Sequence, residues 1–247
     1  MLRKTERKRK IYKKQERRRH TKKYRAIGGY RPEKYTIFCF WTGSNPMSEK
    51  RASCLQNLKD TTECNIVLVT KENLKDYILP TVPLHPSYEF LSETHKSDYL
   101  RTYFMHFYGG GYSDIKKTTG SWRQAFDDLE NSDKWINGYK ESEFGLAYEP
   151  ARSRWQDLIG VSGFICKAGT PLTEKWYNEM FALMDTKLEA LRKHPATMPA
   201  QHESQDNYPV EWNEMLGRIF HKICYENIDK LLSTLPRYVS LVNTDYR

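Results

Sequence analysis

The run Ser97-Asp98-Tyr99-Leu100-Arg101, followed by Gly109-Gly110-Gly111-Tyr112-Ser113-Asp114, constrains this chain more than any other stretch. Leu100, Phe104 and Phe107 recur at helical spacing, and Ser97 is a residue type that caps helix starts. The spacing predicts a helix over 97–108 with one apolar face, stopped by the glycines. The chain then resumes as a strand that delivers Asp114. Asp98 and Arg101, three residues apart, project to the same side of the first turn. An acid–base pair and a second aspartate gathered around a glycine turn suit a polyanionic, hydroxyl-rich ligand.

The flanking sequence tells what sheet this unit joins. Tyr35-Thr-Ile-Phe-Cys-Phe-Trp41 reads as a buried strand that turns at Thr42-Gly43. Ser48 to Leu58 reads as a helix with Ala52, Leu55 and Leu58 inward. Asn65–Thr70 is a second buried strand, with a helix expected over 71–78. Strands and helices alternating at this spacing imply βαβ units and a parallel sheet. Pro80, Pro83 and Pro86 make a loop before the 97–108 helix. Further on, helices are expected over 121–130, 172–193 and 212–221, and strands over 144–148 and 160–167. Residues 194–209, with three prolines, read as a mobile loop.

Charge divides the chain in two. Residues 1–28 hold fourteen Lys/Arg against two Glu, a charge of +12, whereas the remaining 26 basic and 29 acidic residues give −3. The overall +9 therefore belongs to a basic arm, a disordered segment or solvated helix, ahead of one domain over 34–247. Such an arm suits an anionic membrane surface; its few apolar residues make no membrane-buried face, and nucleic acid is the weaker expectation. Cys39, Cys54, Cys64, Cys166 and Cys224 have no zinc-type spacing and read as free thiols in a reducing, cytoplasmic compartment. No apolar run is long enough to span a bilayer, so the expectation is a cytoplasmic protein, soluble or peripheral at a membrane.

Ser-Asp-x-x-Arg followed by Tyr-Gly-Gly-x-Tyr-x-Asp resembles the core of family 32 glycosyltransferases and the related capsular polysaccharide synthesis proteins. The resemblance implies an α/β GT-A (Rossmann-like) nucleotide-diphospho-sugar transferase fold with additional C-terminal helices. It implies a hexosyltransferase of polysaccharide biosynthesis, moving a sugar from a nucleoside diphosphate donor to a glycan or other hydroxyl acceptor with retention. Carried over residue by residue, Asp98 and Arg101 contact donor hydroxyls and phosphate, Gly110 and Gly111 give the donor room, and Trp41 stacks on the base. Thr70, ending the second strand, is a further candidate for that pocket.

The departure from the family pattern lies at Asp114-Ile115-Lys116, where relatives carry Asp-x-Asp holding a divalent cation on the diphosphate. Three readings stand. Lys116 supplies the positive charge itself; or Mn²⁺ or Mg²⁺ is held by Asp114 with ligands from elsewhere, His221 among them; or the body is catalytically degenerate and binds lipid or nucleic acid through its arm. Glu214, seven residues before His221, and His202 in the 194–209 loop are lesser candidates. Nothing resembles a Walker loop or a Gly-x-Ser-x-Gly elbow, so NTPase and serine-hydrolase chemistry find no support.

Overall fold

A computed structural model describes residues 30–201 and 205–239. The expectations for the arm over 1–28 and for His202 lie outside the described residues. Six strands, β1 (Thr36–Trp41), β2 (Asn65–Thr70), β3 (Gly110–Ser113), β4 (Ile136–Lys140), β5 (Ile159–Cys166) and β6 (Leu231–Leu232), form one sheet in the order β2-β1-β3-β5-β4-β6. The helices are α1 (Glu49–Thr61), α2 (Glu93–Phe107), α3 (Arg123–Asn131), α4 (Pro171–Lys193) and α5 (Gly217–Glu226). The expected α/β, Rossmann-like arrangement with extra C-terminal helices is present.

The sheet is mixed rather than wholly parallel. β1 pairs in parallel with β2 and β3, but β5 runs antiparallel to both β3 and β4. β1 shows why it lies inside the sheet, between β2 and β3. Its alternate residues face opposite ways, as a pleated strand requires. Phe38 and Phe40 join the larger core beside Tyr99 and Phe104 of α2, Trp176 of α4 and Phe220 of α5. Ile37 packs with Trp122, Ala125 and Leu129 around α3, and Cys39 with Leu55 and Leu58 of α1. Helices thus cover both faces.

Several expected boundaries move for local reasons. α2 starts one turn earlier than predicted, because Ser92 caps it by accepting from the His95 amide. Ser97 therefore lies inside the helix, where its carbonyl and hydroxyl both accept from Arg101. From Asp98 to His106 every α2 residue is buried, so the helix has no solvent face to contrast with an apolar one. In α1 it is Arg51, not Ala52, that turns inward. The helix expected over 71–78 shrinks to a 3₁₀ turn, Leu74–Tyr77, since the Asn73 side chain accepts from the Thr70 amide and donates to the Leu68 carbonyl. The strand expected over 144–148 is instead a 3₁₀ turn, Glu143–Gly145, closed by the Ser142 hydroxyl. The last helix starts at Gly217 rather than at 212. In the 194–209 segment Gln201 is fully buried, and its Oε1 accepts from the Thr197 and Met198 amides, which ties down residues 197–201.

Candidate active site

The carboxyl ends of β1 and β3 open on a cavity of about 750 Å³, large enough for a drug-sized or cofactor-sized ligand (about 300–1,000 Å³). In open α/β sheets this edge is where ligands bind, because the strand ends and following loops diverge there. One wall is aromatic, built from Phe40, Trp41 and Tyr112. The floor is charged. Asp98 and Arg101 come from α2, Asp114 and Lys116 from the end of β3, and Arg51 from the first turn of α1.

The charges interlock. Arg101 meets Asp98 Oδ1 at 3.1 Å and Asp114 Oδ1 at 3.5 Å, and donates to the Val161 carbonyl at 2.9 Å. Its guanidinium lies 4.3 Å from the centroid of Tyr112, whose hydroxyl donates to Asp114 Oδ1 at 2.5 Å. Lys116 Nζ is 2.9 Å from Asp114 Oδ2 and 2.9 Å from the Ser162 hydroxyl. Arg51 donates to the Ile115 carbonyl at 3.2 Å, steadying the Asp114–Lys116 segment from the far side.

The two aspartates respond oppositely to this setting. Burial pushes the Asp98 carboxyl up to about 7, because Arg101 offsets only part of the desolvation and Asp114 adds repulsion. Burial would raise Asp114 too, but Lys116, Arg101 and the Tyr112 hydroxyl outweigh it and hold its carboxyl well below the usual range. Asp114 is thus the fixed anion that anchors two cations, and Asp98 the group that titrates near neutrality.

Trp41 lies where the sequence predicts, its indole N–H donating to the Asn45 carbonyl at 3.0 Å and its ring facing the Arg51 guanidinium. Thr70 does not line the cavity. It sits beside Trp41 on the neighbouring edge strand, its amide committed to the Asn73 turn. Gly110 and Gly111 also do not line it, since β3 enters at Gly110 and reaches the cavity only at its other end. They serve the fold instead. Gly110 has φ +82°, and a Cβ on Gly111 would sit 2.9 Å from Ile37 Cγ1. His221 is buried behind the wall, donating to Glu141 through Nε2 at 3.0 Å while Nδ1 accepts from the Ala147 amide at 3.1 Å. Glu214 precedes α5 and pairs with Lys187. Neither His221 nor Glu214 lines the cavity.

Sequence reasoning missed Arg51 and Ser162. Arg51 carries a weak signal, the first turn of a helix that follows a strand end. Ser162 carries none, since only strand pairing brings β5 beside β3. Among the described residues no cluster of three or more His, Cys, Asp or Glu is arranged to hold a metal ion. Likewise among them, no helix is long and apolar enough to cross a membrane.

Comparison with known proteins agrees with the motif. No curated protein matches the chain. The solved structure of "PaToxG Glycosyltransferase" is similar at 14% identity and TM-score 0.46, over 81% of this chain and 70% of that one. The family model for "Capsular polysaccharide synthesis protein" matches residues 2–156, which include the whole Ser97–Asp114 motif and the ends of β1 and β3. The chain belongs to the capsular polysaccharide synthesis protein family.

Proposed function

We propose that the cavity binds a nucleoside diphosphate sugar and that the chain is a retaining glycosyltransferase acting on a glycan or other hydroxyl acceptor. The observation that carries this reading is the buried Asp98–Arg101–Asp114–Lys116 cluster at the carboxyl ends of β1 and β3. Burying four charges carries a desolvation cost that their mutual pairing repays only in part, and a site that uses them on a ligand gives a reason to keep them, which argues against a degenerate scaffold.

In this reading Trp41 stacks on the base, and Arg101 and Lys116 face the diphosphate. The acceptor hydroxyl oxygen bonds to the anomeric carbon on the face from which the diphosphate departs. The bond from that carbon to the phosphate oxygen breaks, its electron pair leaves with the nucleoside diphosphate, and the hydroxyl proton passes to the departing phosphate oxygen. Lys116 and Arg101 stabilise the charge that develops there. The cavity's two central carboxylates are both engaged by cations, so no protein nucleophile is assigned.

A divalent cation does not fit the residues present. Both Asp114 oxygens already accept from Tyr112 or pair with Arg101 and Lys116, and an ammonium occupies the place of the second carboxylate. Lys116 is assigned the cation's role. The unpaired cysteines suit a reducing, cytoplasmic setting, and the basic arm is assigned to an anionic membrane surface.

The test is a panel of nucleotide sugars scored for thermal stabilisation and for release of nucleoside diphosphate, with and without EDTA. One donor should stabilise and turn over in both conditions. No stabilisation by any donor refutes the assignment.

A further inference from the structure

Phe144 is 98% exposed, and it stands at the tip of the Glu143–Gly145 turn. That turn is held from beneath. Glu141 Oε1 accepts from the Ser142 amide at 2.7 Å, while its Oε2 accepts from His221, whose other ring nitrogen accepts from the Ala147 amide. One buried carboxylate–imidazole pair therefore ties both sides of the turn. α5 closes against it so tightly that a Cβ on Gly217 would lie 2.6 Å from Ala147 Cβ. A phenylalanine held fully in water on an anchored turn is presented to whatever covers it.

Its location suggests what does. Gly145 and Ala147, on either side of the turn's end, line the donor cavity. So do Trp212 and Met198, which are 39% and 43% exposed. Single exposed hydrophobics are ordinary, but of the four large ones among the described residues two line this cavity, and a third, Phe144, adjoins the lining residue Gly145 in the chain. Polar side chains share this rim, including Asn213 and Thr94.

We propose that Phe144 and Trp212, with Met198, are the acceptor platform, stacking on the C–H face of a sugar ring of a neutral glycan while the rim's polar groups meet its hydroxyls. This rests on the donor reading above. A pyranose ring offers one apolar face and a hydroxyl edge, which matches aromatic rings interleaved with amides and hydroxyls. The charged residues beside the two rings are compensated, since Glu211 pairs with Arg218 and Glu143 acts on the Arg152 guanidinium. These groups therefore offer no net charge to draw an anionic lipid surface or an acidic glycan, and a neutral glycan is the better match.

The experiment uses the full chain and the variants Phe144→Ala, Phe144→Tyr and Trp212→Ala. Each is probed on an array of neutral and uronic-acid oligosaccharides, with thermal shift by a set of nucleoside diphosphates in parallel. Wild type and Phe144→Tyr should retain a neutral oligosaccharide. Phe144→Ala and Trp212→Ala should bind it about tenfold more weakly, with the nucleotide shift of Phe144→Ala unaltered. Equal glycan affinity in all four proteins overturns the platform, as does wild type that binds a nucleoside diphosphate but no glycan. If Phe144→Ala instead loses binding to phosphatidylglycerol vesicles, or self-association, the rim meets a membrane or a second copy. Wild type that binds no nucleoside diphosphate overturns the donor reading first, and this one with it.

Discussion

Lys116→Ala separates lysine-assisted from metal-assisted transfer. The ammonium is buried, 2.9 Å from Asp114 and 2.9 Å from Ser162. Two losses follow from removing it. The first is in stability: Asp114 keeps Arg101 and the Tyr112 hydroxyl, so the cost falls at the low end of the roughly 3–5 kcal/mol for breaking a buried pair. The second is in the transition state. A unit charge about 4 Å from the departing oxygen contributes about 4 kcal/mol at an effective dielectric of ~20. Removing one preorganised donor typically lowers turnover by about 10²–10³. The assay is release of nucleoside diphosphate by folded protein, verified by its melting curve, in EDTA and in Mn²⁺ or Mg²⁺. Wild-type turnover should survive EDTA, Lys116→Ala should lose about 10²–10³ with or without metal, and Lys116→Asp should acquire dependence on Mn²⁺. Wild-type activity abolished by EDTA and restored by Mn²⁺ refutes the lysine. Activity indifferent to both chelation and Lys116→Ala means that the diphosphate lies elsewhere.

Asp98, held up at about 7 by burial, makes the site's charge depend on pH. With it protonated, Arg51, Arg101 and Lys116 against Asp114 and Glu93 leave a net +1 for a diphosphate, so nucleotide affinity should fall as pH rises through about 7, by at most about tenfold per unit. Asp98's own contribution to stability follows the same sign, full below the ordinary carboxylate range and lost as pH rises through about 7, whereas Asp114's contribution is lost as pH falls below that range. Asp98→Asn should flatten both curves, and a flat wild-type affinity curve across that range would exclude the coupling. His221→Ala leaves the buried Glu141 without its imidazole, costing about 3 kcal/mol and lowering Tm by about 6–12 °C with no change in metal response. An unchanged Tm together with altered metal affinity would reinstate His221 as a ligand. Deleting residues 1–28 removes +12 of charge, so binding to anionic vesicles at low salt should drop while donor turnover holds. Intact protein that ignores such vesicles shows the arm to have another use.

The Ser97–Asp114 stretch was legible because it is local: helix, glycine stop and strand follow one another within hydrogen-bonding reach. Asp98, Arg101 and Asp114 are brought together as the spacing requires, and Trp41 stands at the strand end where the alternation of apolar residues puts it. Boundaries slipped wherever a side chain offered the backbone another partner, as Ser92, Asn73 and Ser142 do. Periodicity does not record such competition. β4 escaped notice because Ile136-Asn-Gly-Tyr-Lys140 makes no apolar run, and β6 because two residues carry no pattern, whereas the glycine stop announced β3.

From the sequence alone came the α/β class, the charge pair, the lysine in place of a second aspartate and the basic arm, all properties of neighbouring residues. Tertiary structure decided which of those residues share a cavity. It moved Gly110, Gly111 and His221 from the site into the framework, and it brought Ser162 from an antiparallel strand to Lys116 and Arg51 to Ile115. It also gave Asp98 and Asp114 opposite titration, though both are aspartates paired to Arg101. The physical reason is that desolvation and Coulomb interaction depend on distance in space. Chain order sets that distance only within a helix turn or a strand, and beyond that packing sets it.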